Sequence, residues 1–322
     1  MAEYYVNNNG GSDDNDGSTE ALAFDSLAKA ADTVAAGDTV HIKGGTEYTD
    51  QDGTNGCNLL ISTAGTVTAP ITWQGYTTTP GDEGVAVVNA SGFSFGIYNS
   101  GSDYQVYKNI LTKNSANDGF YLNSGNQTLF NCTSSNNGRH GIQSGGNMIY
   151  VKCVVNNNGS HGIKSGNYQH MYGCKIHTNS GHQIDGDAVQ FIHGCLFYAP
   201  SSNACVYASA FGSGIVNCTF DGDGAASSIG FLQGAANTET WSVINCIFMD
   251  LATGIQATTD VKQFGFCDFN LFYGVTTTHT NAAAGINDVT GTEDPFTDSS
   301  TRDYTLKAGS EALASGIDAG VL

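Results

Sequence analysis

Residues 131–142, NCTSSNNGRHGI, and residues 152–163, KCVVNNNGSHGI, align one to one, and this pair of stretches decides the fold. Outward from them the cysteine recurs at spacings of 21, 21, 21, 23, 28 and 21 residues, at Cys132, Cys153, Cys174, Cys195, Cys218, Cys246 and Cys267. A parallel series, which begins as a glycine followed by an apolar residue, runs through Ile97, Phe120, Ile142, Ile163, Ile184, Val206, Phe231 and Ile255. The chain is therefore built from internal repeats of about 22 residues each.

A unit of this length cannot bury its own apolar side, so it must stack on copies of itself. The economical solution is a parallel β-solenoid, in which equivalent residues of neighbouring coils lie about 4.8 Å apart. The seven cysteines then form an inward column of small apolar side chains, and Cys57 and Cys205 stand outside it. We expect reduced thiols rather than disulfides, because in-register side chains on parallel strands point the same way. Period-two alternation predicts that the residue two places after each cysteine also faces inward: Ser134, Val155, Ile176, Phe197, Phe220, Phe248 and Phe269.

These repeats, the opening at residues 4–48, the segment TAPITWQGY at 68–76 and the tail at 293–320 resemble right-handed parallel β-helices of the pectate-lyase-like superfamily. The resemblance implies an all-β, right-handed parallel β-helix of roughly ten coils in a single domain over residues 1–322. Residues 1–40 would form a first strand and a capping helix, 41–275 the coils, and 276–322 a closing segment. We expect Asp25 to N-cap the helix and Gly37 to end it.

Composition excludes several classes of partner. The chain has 11 basic and 30 acidic residues, a net charge of −19, which disfavours nucleic acid and anionic membranes. No window approaches the ~20 apolar residues of a membrane span. The start, MAEYYVNNNG, shows no signal peptide, yet the fold favours an extracellular or virion-associated protein, either monomer or homotrimer.

Charge is distributed unevenly along the repeat. Residues 119–184 contain no Asp or Glu, where the chain average predicts about six. The same window holds four basic residues and five histidines: Arg139, Lys152, Lys164, Lys175, His140, His161, His170, His177 and His182. We therefore predict a cationic, titratable patch on an otherwise acidic solenoid.

The repeat register places Asp118, His140, His161 and His182 in one column, with Lys164 and Asp185 facing outward nearby. Arg139 and Lys164 are candidates to neutralise a sugar carboxylate, and His140, His161 or His182 to transfer a proton. An alternative stays open, in which these histidines only cap backbone groups in turns. The remaining candidates are sugar-binding Tyr121, with Tyr98 and Tyr207 in equivalent positions, sugar-binding Lys152 and Lys175, and Ca²⁺-binding Asp185 and Asp187.

The function that these residues favour is cleavage of an anionic, uronate-containing polysaccharide by β-elimination. One alternative is a glycoside hydrolase that uses carboxylates among Asp118, Asp185 and Asp187. Another is a non-catalytic glycan-binding or structural virion appendage, because the chain has only two arginines and lacks the complete motif set of polygalacturonase-like hydrolases. Apart from Ca²⁺, no cofactor is predicted.

Overall fold

The computed structural model of the chain describes residues 1–49, 56–99, 101–166, 168–187, 189–198, 203–209, 212, 214–234, 240–258 and 264–314. The chain divides into two compact units, Met1–Ser160 and His161–Leu322. Within the described ranges, no helix has both the length and the apolar character that crossing a membrane would need.

The first unit is built from short strands and one short α-helix. Their bounds are β1 (Glu3–Val6), α1 (Leu27–Thr33), β2 (Thr39–Lys43), β3 (Glu47–Tyr48), β4 (Cys57–Leu60), β5 (Ile71–Tyr76), β6 (Ala86–Asn89), β7 (Phe95–Asn99), β8 (Gln105–Lys108), β9 (Ile110–Lys113), β10 (Asp118–Leu122), β11 (Gln127–Phe130), β12 (Thr133–Ser135), β13 (Ile142–Ser144), β14 (Met148–Val151) and β15 (Val154–Asn156).

Every third strand belongs to the same parallel sheet. In the first unit the first sheet has the order β1-β2-β5-β8-β11-β14, the second β3-β6-β9-β12-β15 and the third β4-β7-β10-β13. Pairing follows the repeat: Phe120 of β10 aligns with Ile142 of β13 and with Ile97 of β7, and all three are buried. The Gly that precedes these residues has a steric reason, because a Cβ on Gly119 would lie 2.1 Å from Oγ of Ser134.

Helix α1 covers the start of the solenoid, as predicted, but its N-cap differs. The Oγ of Ser26, rather than a group of Asp25, accepts the backbone N–H of Lys29 at 3.1 Å. Asp13 is the reason that Ser26 is the N-cap. Its carboxylate accepts hydrogen bonds from both the backbone N–H and the hydroxyl of Ser26 and so fixes that residue in place. The helix ends at Thr33, and Gly37 lies in the following turn with a φ of +91°.

The second unit continues the same pattern and ends in a β-hairpin and a short helix. Its elements are β16 (Ile163–Ser165), β17 (Gln169–Tyr172), β18 (Lys175–His177), β19 (Ile184–Gly186), β20 (Val189–His193), β21 (Leu196–Tyr198), β22 (Ala204–Ala208), β23 (Gly214–Val216), β24 (Thr219–Asp221), β25 (Ile229–Gln233), β26 (Trp241–Ile244), β27 (Ile247–Met249), β28 (Thr253–Ala257), β29 (Phe264–Asp268), β30 (Leu271–Tyr273), β31 (Thr277–Thr280), β32 (Val289–Thr290), β33 (Phe296–Asp298), β34 (Asp303–Leu306) and α2 (Glu311–Ala314).

Three parallel sheets recur here. The first sheet has the order β17-β20-β23-β26-β29, the second β18-β21-β24-β27-β30-β32 and the third β16-β19-β22-β25-β28-β31. Strands β33 and β34 form a separate antiparallel pair. The predicted fold class, an all-β parallel solenoid of the right-handed type, is confirmed.

The turn between the first and second sheets contains one left-handed residue in each repeat from β8 onward. Its φ lies between 51° and 61° at Asn109, Asn131, Lys152, Gly173, Gly194, Asn217, Asn245 and Phe269. Asn and Gly tolerate this conformation, whereas Lys and Phe adopt it at a cost. The Asn side chains also bond to each other, as Nδ2 of Asn131 donates to Oδ1 of Asn109 at 2.8 Å.

The cysteine column follows this turn and contains six members rather than seven. All nine cysteines are reduced thiols, as predicted. The backbone N–H of Cys174 donates to Sγ of Cys195 at 3.3 Å, and the N–H of Cys195 to Sγ of Cys218 at 3.4 Å. Each of these thiols therefore accepts a hydrogen bond from the preceding coil as well as filling space.

Cys267 was assigned wrongly. It lies on β29 in register with Val243 of the first sheet, and Asn270 occupies the seventh place of the column. Oδ1 of Asn270 accepts the backbone N–H of Cys246 at 3.0 Å, the contact that a thiol makes in earlier coils. The inward residue after it is Phe272, which stacks on Phe248 at 5.1 Å, whereas Phe269 is 40% exposed.

The tail covers the outer side of the second sheet in the second unit. Phe296, Tyr304 and Ala312 are buried against the outward-facing residues Leu196, Ile247, Met249 and Leu271. Hydrogen bonds to a buried carboxylate hold the hairpin in place. Asp221 of β24 accepts hydrogen bonds from the hydroxyl of Tyr304 at 2.6 Å and from Nη1 of Arg302 at 3.0 Å.

Candidate functional site

In the first unit, the predicted residues Asp118, Arg139 and His140 lie together where strands β10 and β13 of the third sheet begin. The Asp118 side chain is fully buried and pairs with Arg139, whose Nε lies 2.9 Å from Oδ1 and whose Nη2 also contacts the carboxylate. Oδ1 of Asp118 accepts the backbone N–H of His140 at 3.1 Å. The pKa of Arg139 is raised, chiefly by its hydrogen bond to Asp118. Arg139 is thus a permanent cation that neutralises a buried carboxylate.

Two tyrosines lie on the outer side of the same sheet. Tyr98 of β7 and Tyr121 of β10 are in register, and their rings stack at 4.9 Å with an interplanar angle of 6°. Phe95 packs against both rings at 5.1 Å. The predicted equivalence of Tyr98 and Tyr121 is confirmed, and their stacked rings form an aromatic group on the outer side of the sheet.

The densest group of predicted residues lies in the second unit, on β16, β19 and β22. Lys164, Asp185 and Tyr207 follow one another in register across these strands. Nζ of Lys164 lies 2.9 Å from Oδ1 of Asp185, and Nε2 of His161 lies 3.2 Å from Oδ2 of the same carboxylate. Asp185 is therefore the centre of the group, which we call the Asp185 cluster: His161, Lys164, His182, Asp185, Asp187 and Tyr207.

The two histidines of the cluster cap backbone groups. Nδ1 of His161 accepts the backbone N–H of His182 at 2.9 Å, and Nδ1 of His182 accepts that of Ala204 at 3.1 Å. Their rings stack at 5.3 Å, and Tyr207 extends the stack at 5.1 Å. Burial lowers the pKa of both imidazoles, against the opposing effect of Asp185. The capping interpretation left open by the sequence is thus the one realised at His161 and His182.

Capping fixes the tautomer of His161. A neutral imidazole has one acceptor nitrogen and one N–H, and the acceptor, Nδ1, is committed to the backbone of His182. Nε2 therefore carries the proton and donates it towards Oδ2 of Asp185. In this arrangement the Nε2–H of His161 orients the Asp185 carboxylate.

Asp185 and Asp187 do not fit a Ca²⁺ site among the described residues. The ammonium of Lys164 lies 2.9 Å from Asp185 and 4.0 Å from Asp187, where a cation between the carboxylates would have to sit. Asp187 also accepts the hydroxyl of Ser209 at 2.7 Å, a partner that no repeat pattern in the sequence indicated. Ca²⁺ takes six to eight oxygen ligands, so we derive no step through it here.

The remaining predicted residues lie elsewhere. Lys152 occupies the left-handed turn after β14, and Lys175 begins β18 in the second sheet, whereas Lys164 is on the third. His177 is also on β18 and stacks on Tyr198 at 4.1 Å, and His170 is on β17 of the first sheet. Within each unit, the window at residues 119–184, which lacks Asp and Glu, therefore contributes its basic and histidine side chains to different faces instead of one patch.

Register, burial and the three sheets together define the chain as a parallel β-helix protein with the pectate-lyase-like fold. Among solved structures it is similar to pectate lyase Pel9A, with a TM-score of 0.64 and 19% identity over 97% of this chain and 90% of that one. It is also similar to an alginate lyase from Paenibacillus sp. str. FPU-7, with a TM-score of 0.52 and 13% identity over 82% of this chain and 95% of that one.

A third similar structure is the pectin methylesterase from Aspergillus niger, with a TM-score of 0.50 and 13% identity over 99% of this chain and 94% of that one. No protein-family model matches the sequence. A search of curated proteins also finds no match. At these identities the structural similarities establish the fold.

Proposed function

We propose that the protein is a carbohydrate-active β-helix that cleaves an anionic, uronate-containing polysaccharide by β-elimination at the Asp185 cluster. The observation that carries this proposal is the position of Lys164 and His161 on either side of the Asp185 carboxylate, with Tyr207 next in register. Two of the similar folds are named a pectate lyase and an alginate lyase, which supports an acidic glycan as the ligand class.

β-Elimination needs neutralisation of the uronate carboxylate, an acceptor for the C5 proton and a donor to the leaving oxygen. The Lys164 ammonium supplies the first, because a substrate carboxylate can pair with it as Asp187 does. We assign the proton acceptor to the Asp185 carboxylate, oriented by His161. The C5–H bond breaks, the C4–C5 double bond forms, and the C4–O bond breaks; the same carboxyl group then returns the proton to the departing oxygen.

The test compares two lysines of similar sequence context. Lys164→Ala should raise KM for an acidic polysaccharide at least tenfold, and Asp185→Asn should lower kcat about 100-fold or more. Lys175→Ala is the matched control, because Lys175 lies in a different sheet, and its kinetics should stay as in the unmodified protein. Pectate, alginate and glycosaminoglycans are the substrates, and ultraviolet absorbance of unsaturated ends is the readout.

A second candidate function is glycan binding without cleavage. It is favoured by the commitment of both histidine Nδ1 atoms to backbone capping and by the stacked Tyr98–Tyr121 pair. Glycan-array binding that Tyr121→Ala abolishes, with no unsaturated product from any substrate, would support binding and overturn the lyase. Absence of both binding and cleavage across all three substrates would overturn both candidates.

A further inference from the structure

Three interior columns of the second unit end in a cysteine, a histidine and an aspartate, which are residue types that commonly coordinate metals. In the first sheet, Cys267 of β29 aligns with the buried Val243. In the third sheet, His279 of β31 aligns with the buried Ile255. Asp288 immediately precedes β32 and lies beside Asn270, at the end of the column that cysteines form in earlier coils. The earlier members of these columns are apolar residues or cysteines, apart from Asn270. Cys267, His279 and Asp288 are the last members, one in each column.

The three side chains converge on one point. Sγ of Cys267 lies 3.7 Å from Nε2 of His279, which lies 3.3 Å from Oδ2 of Asp288, and all three ligand atoms lie within 4.8 Å of one another. Atoms bound to a tetrahedral Zn²⁺ at about 2.0–2.3 Å are roughly 3.3–3.8 Å apart. Both contacts measured at Nε2 therefore match the edge of a tetrahedral coordination shell.

The surroundings hold the trio in place. Oδ1 of Asp288 accepts the backbone N–H and the Nδ2 of Asn270, at 2.9 and 3.1 Å, which leaves Oδ2 to face His279. The backbone N–H of Gly285 donates to Oδ2 at 2.8 Å. The His279 ring packs edge-on against Phe272 at 5.0 Å. The side chains of His279 and Asp288 are each only 7% exposed, so the ligand set is built into the interior before any ion arrives.

A nucleophilic Cys–His–Asp arrangement is a different use of the same residue types. In that arrangement the carboxylate contacts one imidazole nitrogen and the thiol the other, so that the ring relays a proton between them. Here thiol and carboxylate both face Nε2, and the buried Nδ1 of His279 has no hydrogen-bond partner among the described residues. The geometry suits a shared ion and does not suit a relay.

We propose that Cys267, His279 and Asp288 bind a divalent transition metal of the Zn²⁺ class, with water as the fourth ligand. A thiolate, an imidazole and a carboxylate are a ligand set for Zn²⁺ or Co²⁺ and a poor one for Ca²⁺ or Mg²⁺. The ion would tie the last strand of the first sheet to segment 277–288, which closes the end of the third sheet. Its role is to stabilise that end, and it is independent of the Asp185 cluster.

The experiment uses the full chain, stripped with a chelator and titrated with Co²⁺. We expect one equivalent to bind, with a thiolate-to-cobalt charge-transfer band and the intense visible bands of tetrahedral cobalt, and Zn²⁺ to displace it. Cys267→Ser should abolish the charge-transfer band, and Asp288→Asn should weaken binding at least tenfold. The controls are Cys57→Ser, a buried thiol of the first unit, and Asp187→Asn, a carboxylate of the Asp185 cluster; both should keep the band.

Two outcomes would overturn the proposal: no charge-transfer band in the folded wild-type chain at excess Co²⁺, or a band that persists in Cys267→Ser. Thermal unfolding gives a second measurement in case a variant folds poorly. Zn²⁺ should raise the Tm of the wild-type chain and of Cys57→Ser more than that of Cys267→Ser and Asp288→Asn. A Zn²⁺-induced rise that is equal in all four proteins would place the ion elsewhere.

Discussion

The backbone N–H of His182 donates to Nδ1 of His161 at 2.9 Å, one repeat earlier along the chain. Asp118 makes the same kind of contact in the first unit, where its Oδ1 accepts the N–H of His140 at 3.1 Å. A carboxylate and an imidazole therefore perform one structural task at equivalent positions. Any chemistry at His161 takes place on a side chain whose orientation is already fixed by backbone capping.

This equivalence predicts that the capping and the polar function of His161 can be separated. His161→Asn should retain most of the stability, because an amide oxygen can accept the N–H of His182. His161→Ala should lower the free energy of unfolding by about 1 kcal/mol, because that donor loses its partner. Urea unfolding of both variants measures the difference, and equal stability of the two would show that the cap contributes nothing.

Lys152 should be replaceable with a gain in stability. It adopts a φ of +54° in the turn where Asn109 and Asn131 precede it, and a non-Gly side chain in this region costs about 1 kcal/mol. We expect Lys152→Asn and Lys152→Gly to raise the midpoint of urea unfolding. Lys175→Asn is the control, since Lys175 lies within a strand; a larger gain there would contradict the explanation.

Acid should destabilise the fold through its histidines. Burial lowers the pKa of His177 to about 4, and burial also lowers the pKa of His41, His161 and His182. In the unfolded chain these groups have pKa values of about 6.5, so above that pH they are neutral in both states and the fold has its full stability. As the pH falls from about 6.5 towards 4, the unfolded chain binds protons that the folded chain does not, and the free energy of unfolding decreases.

The variant that tests this is His177→Phe, which keeps a ring to stack on Tyr198 and removes the titrating group. Its free energy of unfolding should fall less steeply than that of the wild type between pH 6.5 and 4. Urea unfolding at three pH values measures the slope. An unchanged slope would mean that His177 takes up its proton without loss of structure.

The tail should be held mainly by the buried carboxylate of Asp221. Arg302→Ala removes its cationic partner and should cost about 3 kcal/mol, because a charge is left buried beside Tyr304. The double variant Arg302→Ala, Asp221→Asn should recover part of that loss, since the uncompensated charge is gone. Thermal unfolding checks both. A double variant less stable than the single one would contradict the assignment.

The stacked fold was predictable because the repeat records it directly. A cysteine every 21 to 28 residues and an apolar residue every 21 to 25 indicate which residues stack, and Ile142, Ile163 and Ile184 are all buried as the register requires. The prediction failed where another residue type takes over a column. Asn270 replaces cysteine by offering an oxygen to the N–H of Cys246, and no count of cysteine spacings reveals such a substitution.

The candidate site was predictable only in part. Register placed Lys164, Asp185 and Tyr207 correctly, because strand pairing fixes which residues neighbour each other. The hydrogen bond that determines the tautomer of His161 depends on the path of the turn, which the repeat does not encode. Lys175 was grouped with Lys164 by nearness in sequence, yet eleven residues are enough to carry the chain around a corner into another sheet.

The cysteine column has a consequence for how the protein is made. Its thiols are buried, burial raises the pKa of Cys132 to about 12, and none of the nine cysteines forms a disulfide. Reaching this state requires no oxidant, isomerase or pairing order, so the chain should fold in a reducing compartment without any disulfide chemistry. Strong reductant should leave the native protein unchanged, and thiol reagents should react with the column only after it unfolds.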